Sequence, residues 1–393
     1  GMHGVDWDAV LDRYLPMVQD AVTREDVSYI IREMISELNV GHAYYREGRL
    51  ESQPFENVGM LAVDFALHTD DEGNEAYMIE RFYEGGPHEV DMRNPLRMPG
   101  MDIHEGTYLH AVNGIPMDTS KDPWAAFQGT VGNTVILTVS DSPVWDSEEA
   151  REVMVEPHGT GREYELRFRA WIEANRQYVY EQSDGQIGYI YVTNTAVDGH
   201  NDLVRQFFGQ RHMPALMIDE RWNGGGFLPH RLIEVLDRPL RNYWALRDST
   251  SWTSPQDGHF GPKAMLINGM AGSGGDMFPA LFRQHGLGKL VGTRTWGGLV
   301  GITGMPAMID GSSVSVPNFA YYEQDGTWGI EGHGVDPDIE VIDDPALMVN
   351  GGDPQIDAAI EQLLRELETG RFVPTPKPAG PDRSGFGIAD EDR

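Results

Sequence analysis

The chain of 393 residues carries 62 Asp and Glu against 30 Lys and Arg, a formal net charge of −32, which disfavours nucleic acid and anionic membranes as partners. It contains no Cys, which excludes disulfides, thiolate nucleophiles and Cys-based zinc sites, and it has no run of about 18 apolar residues of the kind that spans a membrane. A hydrophobic content of 40% and nine Trp imply folded globular structure, and the length exceeds one ordinary core, so two or three domains in a very soluble, cytoplasmic protein are expected.

Residues 5–48 read as helices. Thr23 followed by Asp26 forms a capping box with Asp in place of Glu. Val27, Ile30, Ile31, Met34, Ile35 and Leu38 then make one apolar stripe, which Asn39-Val40-Gly41 ends. His42 comes directly after, followed by Tyr44 and Tyr45. From Pro54 to Ser142 the pattern turns to β: Gly59–Phe65, Tyr77–Phe82 and Thr134–Val139 read as strands, and Asp122–Phe127 as a short helix. Pro99-Gly100, then Ile103-His104-Glu105-Gly106-Thr107, then Val112-Asn113-Gly114 punctuate this stretch. It resembles a PDZ domain, with Thr107 where that pattern has Asp. By that resemblance, Gly59, Met60 and Leu61 form the loop that receives an extended peptide added to the sheet edge.

Arg151–Val155 and Tyr164–Ala170 read as further β segments, with a turn at Pro157–Gly161. Gly188–Val192 and Leu216–Asp219 read as strands, and Asp202–Gln210 and Pro229–Leu236 as helices. Met265–Ile267 is a short apolar strand. It leads into Gly272-Ser273-Gly274-Gly275, after which Met277, Phe278, Leu281 and Phe282 recur at helical spacing. Strand, glycine loop and helix therefore occur twice, which favours a largely parallel α/β domain with its loops gathered on one sheet edge. Glycines around Ser273 let the chain bend sharply, and the free N–H groups of the next helical turn, from Gly274, suit a developing anion. That is half of an oxyanion hole beside a nucleophile; the plain alternative is a serine that only caps the helix. The Gly224–Gly226 loop is therefore expected to face Ser273 and to offer a second amide. It is not a phosphate loop, because no Gly-Lys-Ser/Thr follows. Lys289–Gly298 and Ser312–Val316 are expected to continue the sheet, Gly329–Val341 to end it, and Asp353–Glu368 to form a helix. Residues 371–393, rich in Pro, Gly and charge, are expected to be a disordered tail.

Leu38–Tyr44 (LNVGHAY), Gly100–Gly114, Trp171–Val179, Ile218–Gly226 (IDERWNGGG), Ala271–Phe278 (AGSGGDMF), Gly288–Gly301 and Glu331–Asp338 together resemble the catalytic half of the tricorn-type serine peptidases, relatives of the C-terminal processing peptidases. The resemblance runs from about residue 5 to 365. It implies a helical segment over 1–50, a PDZ-like β domain over 51–145 and an α/β catalytic domain of the ClpP/crotonase-like type over 146–370. It makes Ser273 the nucleophile, His42 the general base and Glu331 its support, with Gly274 and Gly225 as oxyanion amides. Peptides or unfolded polypeptides are the implied substrates, in a homo-oligomer, with no cofactor and no metal. Two positions depart from the pattern. Gly41 stands where a serine relays the His to the Glu, and Gly274 stands where Asp is usual. Gly41 favours a rival expectation, a PDZ-bearing pseudopeptidase that holds peptides uncut. The processing-peptidase branch uses a Ser–Lys dyad, yet Lys121, Lys263, Lys289 and Lys377 are the only lysines and none lies in the Gly292–Gly298 loop. Arg294, which does, stays protonated and cannot serve as a base.

Overall fold

The computed structural model describes residues 4–48, 55–145, 147–349, 351–380 and 391. The chain forms two compact units, one made of Gly1–Leu50 with Val179–Arg393 and the other of Glu51–Tyr178.

The first unit opens with two helices, α1 (Trp7–Asp20) and α2 (Arg24–Ser36). The capping box of α2 forms as expected: Thr23 Oγ1 accepts the Asp26 N–H at 3.1 Å and Asp26 Oδ2 accepts the Thr23 N–H at 2.8 Å. The helix stops earlier than the apolar stripe suggests. Leu38 and Asn39 N–H groups bond back to the Ile35 and Ser36 carbonyls, and Asn39 turns the chain at φ 44°. The segment then runs through His42 into a two-residue strand, β1 (Tyr45–Arg46).

In the second unit, β2 (Val63–Thr69), β3 (Glu75–Phe82), β4 (Tyr108–Val112), β5 (Ile115–Pro116), β6 (Val135–Ser140) and β7 (Arg151–Val155) form one antiparallel sheet in the order β2-β3-β4-β6-β7, with β5 beside β4. Leu61, Val63, Ile79, Leu109, Phe127 and Leu137 are among its core residues. Two expectations change here. Arg151–Val155 pairs with β6 from Val135↔Val155 to Val139↔Arg151, so the β module extends past residue 145. Tyr164–Ala170 is not a strand but part of a 23-residue helix, α3 (Thr160–Gln182). Tyr164, Phe168 and Trp171 show why. Spaced i, i+4 and i+7, they stack along one face with ring centroids 5.8 and 5.9 Å apart, a geometry that period-2 alternation cannot give.

The first unit resumes with β8 (Ile187–Tyr191), α4 (Val197–Gln210), β9 (Ala215–Asp219), α5 (Pro229–Leu236), the hairpin β10 (Asn242–Trp244) and β11 (Trp252–Ser254), then β12 (Lys263–Ile267), α6 (Gly274–Gln284) and β13 (Gly288–Gly292). Short strands β14 (Gly301–Ile302), β15 (Ser313–Val314), β16 (Pro317–Phe319) and β17 (Ile339–Glu340) follow, and helices α7 (Pro345–Met348) and α8 (Pro354–Gly370) come last. The sheet β17-β13-β12-β9-β8 is parallel throughout. Strands β8, β9 and β12 are buried along their whole length, as in a parallel sheet covered on both faces. Leu203, Phe207, Leu232, Leu236, Phe278 and Phe282 from α4, α5 and α6 pack on it. All strands run one way, so the loops after β9, β12 and β13 meet on a single edge.

Ser312–Val316 does not continue this sheet. Ser313 and Val314 pair antiparallel with Arg46 and Tyr45, making a small ribbon of β1 and β15. Residues 371–380 form neither helix nor strand, although the Thr375 N–H reaches Tyr243 Oη at 3.2 Å and Lys377 Nζ reaches the Leu246 carbonyl at 2.7 Å. Residues 381–390, 392 and 393, most of the expected tail, lie outside the described residues. No helix among the described residues is long and apolar enough to cross a membrane.

Candidate active site

Ser273 sits between the end of β12 and the start of α6 with φ 59° and ψ −118°. A non-glycine residue with positive φ is uncommon and needs surroundings that hold it there. Those surroundings come from Asp276, fully buried in the first turn of α6. Its Oδ2 accepts the Ser273 N–H at 2.8 Å and the Gly298 N–H at 3.1 Å, and its Oδ1 accepts Gly297 N–H at 2.7 Å and Thr295 Oγ1–H at 2.6 Å. Burial raises the Asp276 pKa, and these four donors pull it partly back. The Asp276 N–H bonds the main-chain carbonyl of Ser273 at 2.9 Å, and the Ser273 side chain makes no capping bond.

His42 reaches the same place through the β1–β15 ribbon. Ser315 Oγ donates to the His42 carbonyl and accepts the Tyr44 N–H at 2.7 Å, which pins the chain on both sides of residue 43. The imidazole, at φ 60°, meets the Trp296 ring edge-on at 5.8 Å and the Tyr44 ring at 6.0 Å. Its Nδ1 is buried and has no hydrogen-bond partner among the described residues. Trp296 ties this wall to the serine loop. Its N–H bonds the Ala271 carbonyl at 2.9 Å, and a Cβ on Gly272 would lie 2.5 Å from its ring. His42 and Ser273 line one cavity of about 320 Å³ with Gly226 and Gly274. Phe227, Pro229, Met277, Leu299, Ile302 and Phe319 supply apolar walls beside His230, and among the described residues no Asp, Glu, Lys or Arg lines it.

Glu331 makes no hydrogen bond to the His42 imidazole among the described residues. Its Oε1 accepts the Gly41 N–H at 2.7 Å, and its Oε2 accepts the Leu299 and Val300 N–H groups at 2.6 and 2.7 Å. It therefore holds the main chain next to His42 and the loop facing it.

The second amide differs from the expectation. The Gly225 N–H is already given to Asn223 Oδ1 at 2.9 Å, and Gly225 does not line the cavity. Gly226 does line it, and neither its N–H nor that of Gly274 has a partner among the described residues. The two are close: a Cβ on Gly274 would stand 2.8 Å from the Gly226 nitrogen and 2.0 Å from Thr195 Oγ1, so only glycine fits. A run of three glycines does not say which N–H is spent, so sequence could not choose between them.

The loop at Gly59, Met60 and Leu61 also departs from its expected role. The Gly59 N–H bonds the Phe127 carbonyl at 2.9 Å, the Met60 N–H bonds the His158 carbonyl at 2.8 Å, and the Ala62 N–H, after Leu61, bonds Glu163 Oε2 at 2.7 Å. Leu61 is fully buried in the core. The Gly59, Met60 and Ala62 donors are thus used inside the same unit, the last two by the 157–163 segment. The outer edge of β2, which ends the sheet, is where an added strand would have to pair.

Lys263, whose pKa burial depresses to about 8, starts β12 and bonds the His259 carbonyl at 2.9 Å, at the opposite end of the strand from Ser273. Lys289 is exposed on β13. Neither is placed to act as the base. Sequence reasoning missed Asp276, Trp296 and Ser315. Asp276 alone carried a visible signal, an acid in the first turn of a helix.

Residues 186–341 match peptidase family S41, residues 59–159 the tricorn protease PDZ domain and residues 1–36 the tricorn protease C1 domain. Tricorn protease homolog 1 of Streptomyces coelicolor is 35% identical over 93% of this chain and 34% of its own length. The tricorn protease of Thermoplasma acidophilum is 34% identical over 92% of this chain and 32% of its own. The chain thus spans about a third of the length of these curated relatives. A crystal structure of the tricorn protease superposes with a TM-score of 0.83 at 33% identity, covering 92% of this chain and 34% of that one. With the C1, PDZ and peptidase segments matched in that order, the chain belongs to the tricorn-type members of peptidase family S41.

Proposed function

We propose that this chain is the catalytic part of a serine-type peptidase that cuts peptides or unfolded polypeptides through an acyl-enzyme. One observation carries the reading: a serine at a helix start, beside two unused backbone amides and lining one cavity with the His42 imidazole. In this reading His42, through the nitrogen opposite its buried Nδ1, takes the proton from Ser273 Oγ. The alkoxide attacks the scissile carbonyl carbon. Gly226 and Gly274 N–H groups hold the oxyanion in place of the Gly225–Gly274 pair expected from sequence. As the C–N bond breaks, His42 returns the proton to the leaving amine. Water then gives a proton to His42 as its oxygen attacks the ester carbon, and His42 passes that proton to Ser273 Oγ as the acyl–oxygen bond breaks. Glu331 acts on the loop that presents His42 and on the facing loop. The apolar cavity suits an apolar substrate side chain next to the scissile bond. A cytoplasmic setting and self-association belong to the same proposal.

Ser273→Ala is expected to lower kcat on an internally quenched peptide by about a millionfold, and a fluorophosphonate probe is expected to label the wild type alone. A Ser273→Ala variant that cuts at the wild-type rate overturns the reading. A wild type that neither cuts nor labels leaves the rival, a protein that holds peptides without cleaving them.

A further inference from the structure

The two cleft-facing amides stand on different loops. Gly226 follows β9 and Gly274 follows β12, so their spacing depends on whatever ties those loops together. Asn223 does so from full burial. Its Oδ1 accepts the Gly225 N–H at 2.9 Å, fixing the residue before Gly226. Its main-chain carbonyl accepts the Gly272 N–H at 3.1 Å, two residues before Gly274. A Cβ on Gly275 would lie 2.7 Å from that same carbonyl, so the first turn of α6 rests directly on it.

Glu220 lies behind this residue, with no exposed surface. Neither of its carboxylate oxygens has a partner among the described residues, and neither does Asn223 Nδ2. The unsatisfied atoms are complementary, an NH₂ donor against carboxyl acceptors, and the Asn223 amide is close enough to temper the Glu220 pKa. A side-chain amide can turn over, and with Nδ2 toward Gly225 two donors would meet. A carboxyl oxygen behind Nδ2 favours the other orientation.

We propose that Asn223 is the positioning residue that sets the distance between the Gly226 and Gly274 amides, and that Glu220 holds the Asn223 side chain with Oδ1 toward Gly225. This rests on the serine-peptidase reading above. Neither residue touches substrate; both act through the amides.

The test is steady-state kinetics of the full chain on the same quenched peptide, together with the rate of fluorophosphonate labelling. Asn223→Ala is expected to lower kcat by about 100-fold with KM unchanged, since the loss falls on transition-state charge. Labelling should slow in parallel, because phosphonylation also builds charge on an oxygen facing those amides. Asn223→Asp, isosteric and still an acceptor toward Gly225, should keep more activity than Asn223→Ala. Glu220→Leu should cost about tenfold in kcat, the effect of an Asn223 amide no longer held to one orientation. Wild-type kcat in Asn223→Ala, or a raised KM at unchanged kcat, overturns the proposal. If Asn223→Ala does not fold, wild-type kcat in both Asn223→Asp and Glu220→Leu overturns it instead. Should Ser273→Ala stay active, the underlying reading fails; should Ser273→Ala be dead while Asn223→Ala is unimpaired, only this proposal fails.

Discussion

A Cβ on Gly41 would stand 2.8 Å from Gly298 Cα and 3.2 Å from Glu331 Oε1. The backbone of one loop thus fills the place of the relay serine, and the Gly41 N–H takes over the contact with Glu331. Gly41→Ser is therefore expected to weaken the protein, not to complete a relay. Overpacking against backbone should cost about 1–3 kcal/mol, read as a lower denaturant midpoint, with kcat falling as His42 shifts. A Gly41→Ser variant that is as stable as the wild type and faster would show that the loop yields easily. Glu220 gives a second residue-scale expectation, in pH. Burial first, and then the charges of Asp276 and Asp219, push its pKa well above the ordinary 4.5, with Asn223 pulling partly back. The folded chain keeps a proton that the unfolded chain releases, so this group's contribution is complete below about pH 4.5 and is lost as pH rises through the folded value. Glu220→Gln cannot ionise. The melting temperature of the wild type relative to Glu220→Gln is therefore expected to fall as pH rises from 4.5 toward neutrality; a difference independent of pH would mean that Glu220 is charged in the fold.

Among the elements, the loop after β9 is tied to the start of α8 by Arg221. The side chain has no exposed surface, and its guanidinium meets Asp219 at 2.7 Å, Asp353 at 2.8 Å and Gln355 at 3.0 Å. Asp353 also caps α8 by accepting the Gln355 and Ile356 N–H groups. Arg221→Ala would strand two buried carboxylates, and such losses cost about 3–5 kcal/mol. Chemical denaturation should show that drop, and an intact midpoint would mean the carboxylates neutralise at little cost. Elements were legible from sequence where one pattern dominated. The apolar runs of β8, β9 and β12 and the glycine loops after β9 and β12 read correctly, because a parallel strand buried on both faces leaves a continuous apolar signature. Helix α3 was hidden in part because its stacked aromatics alternate with charges over Tyr164–Ala170 and imitate period 2. The β1–β15 ribbon was hidden too. Two residues a side carry no pattern, and their partner lies more than 250 residues away in the chain.

Over the whole molecule, residue types were easier to read than their bonding. The positions of Ser273, His42 and Glu331 could be named from motifs, but what Glu331 holds depends on where Gly41, Leu299 and Val300 come to rest, and only the fold fixes that. The same holds for Gly225 and Gly226. Charge is the property that sequence states outright. A net charge of −32 spread over a chain of 393 residues makes the compact state repel itself, since folding brings like charges closer together. At low ionic strength that repulsion reaches across the surface. At 0.1 M salt the screening length is about 10 Å, and most of the repulsion between distant carboxylates is removed. The buried pairs, Arg221 with Asp219 among them, are shielded from salt by their burial and lose little. Raising NaCl from 10 mM to 500 mM at neutral pH is therefore expected to raise the melting temperature, steeply at first and then with saturation. Repeating the series with an uncharged osmolyte at matched osmolality separates screening from preferential exclusion. A melting temperature that falls with added salt would mean that attractive surface pairs such as Arg32–Glu47 and Arg238–Asp257 outweigh the repulsion among the remaining carboxylates.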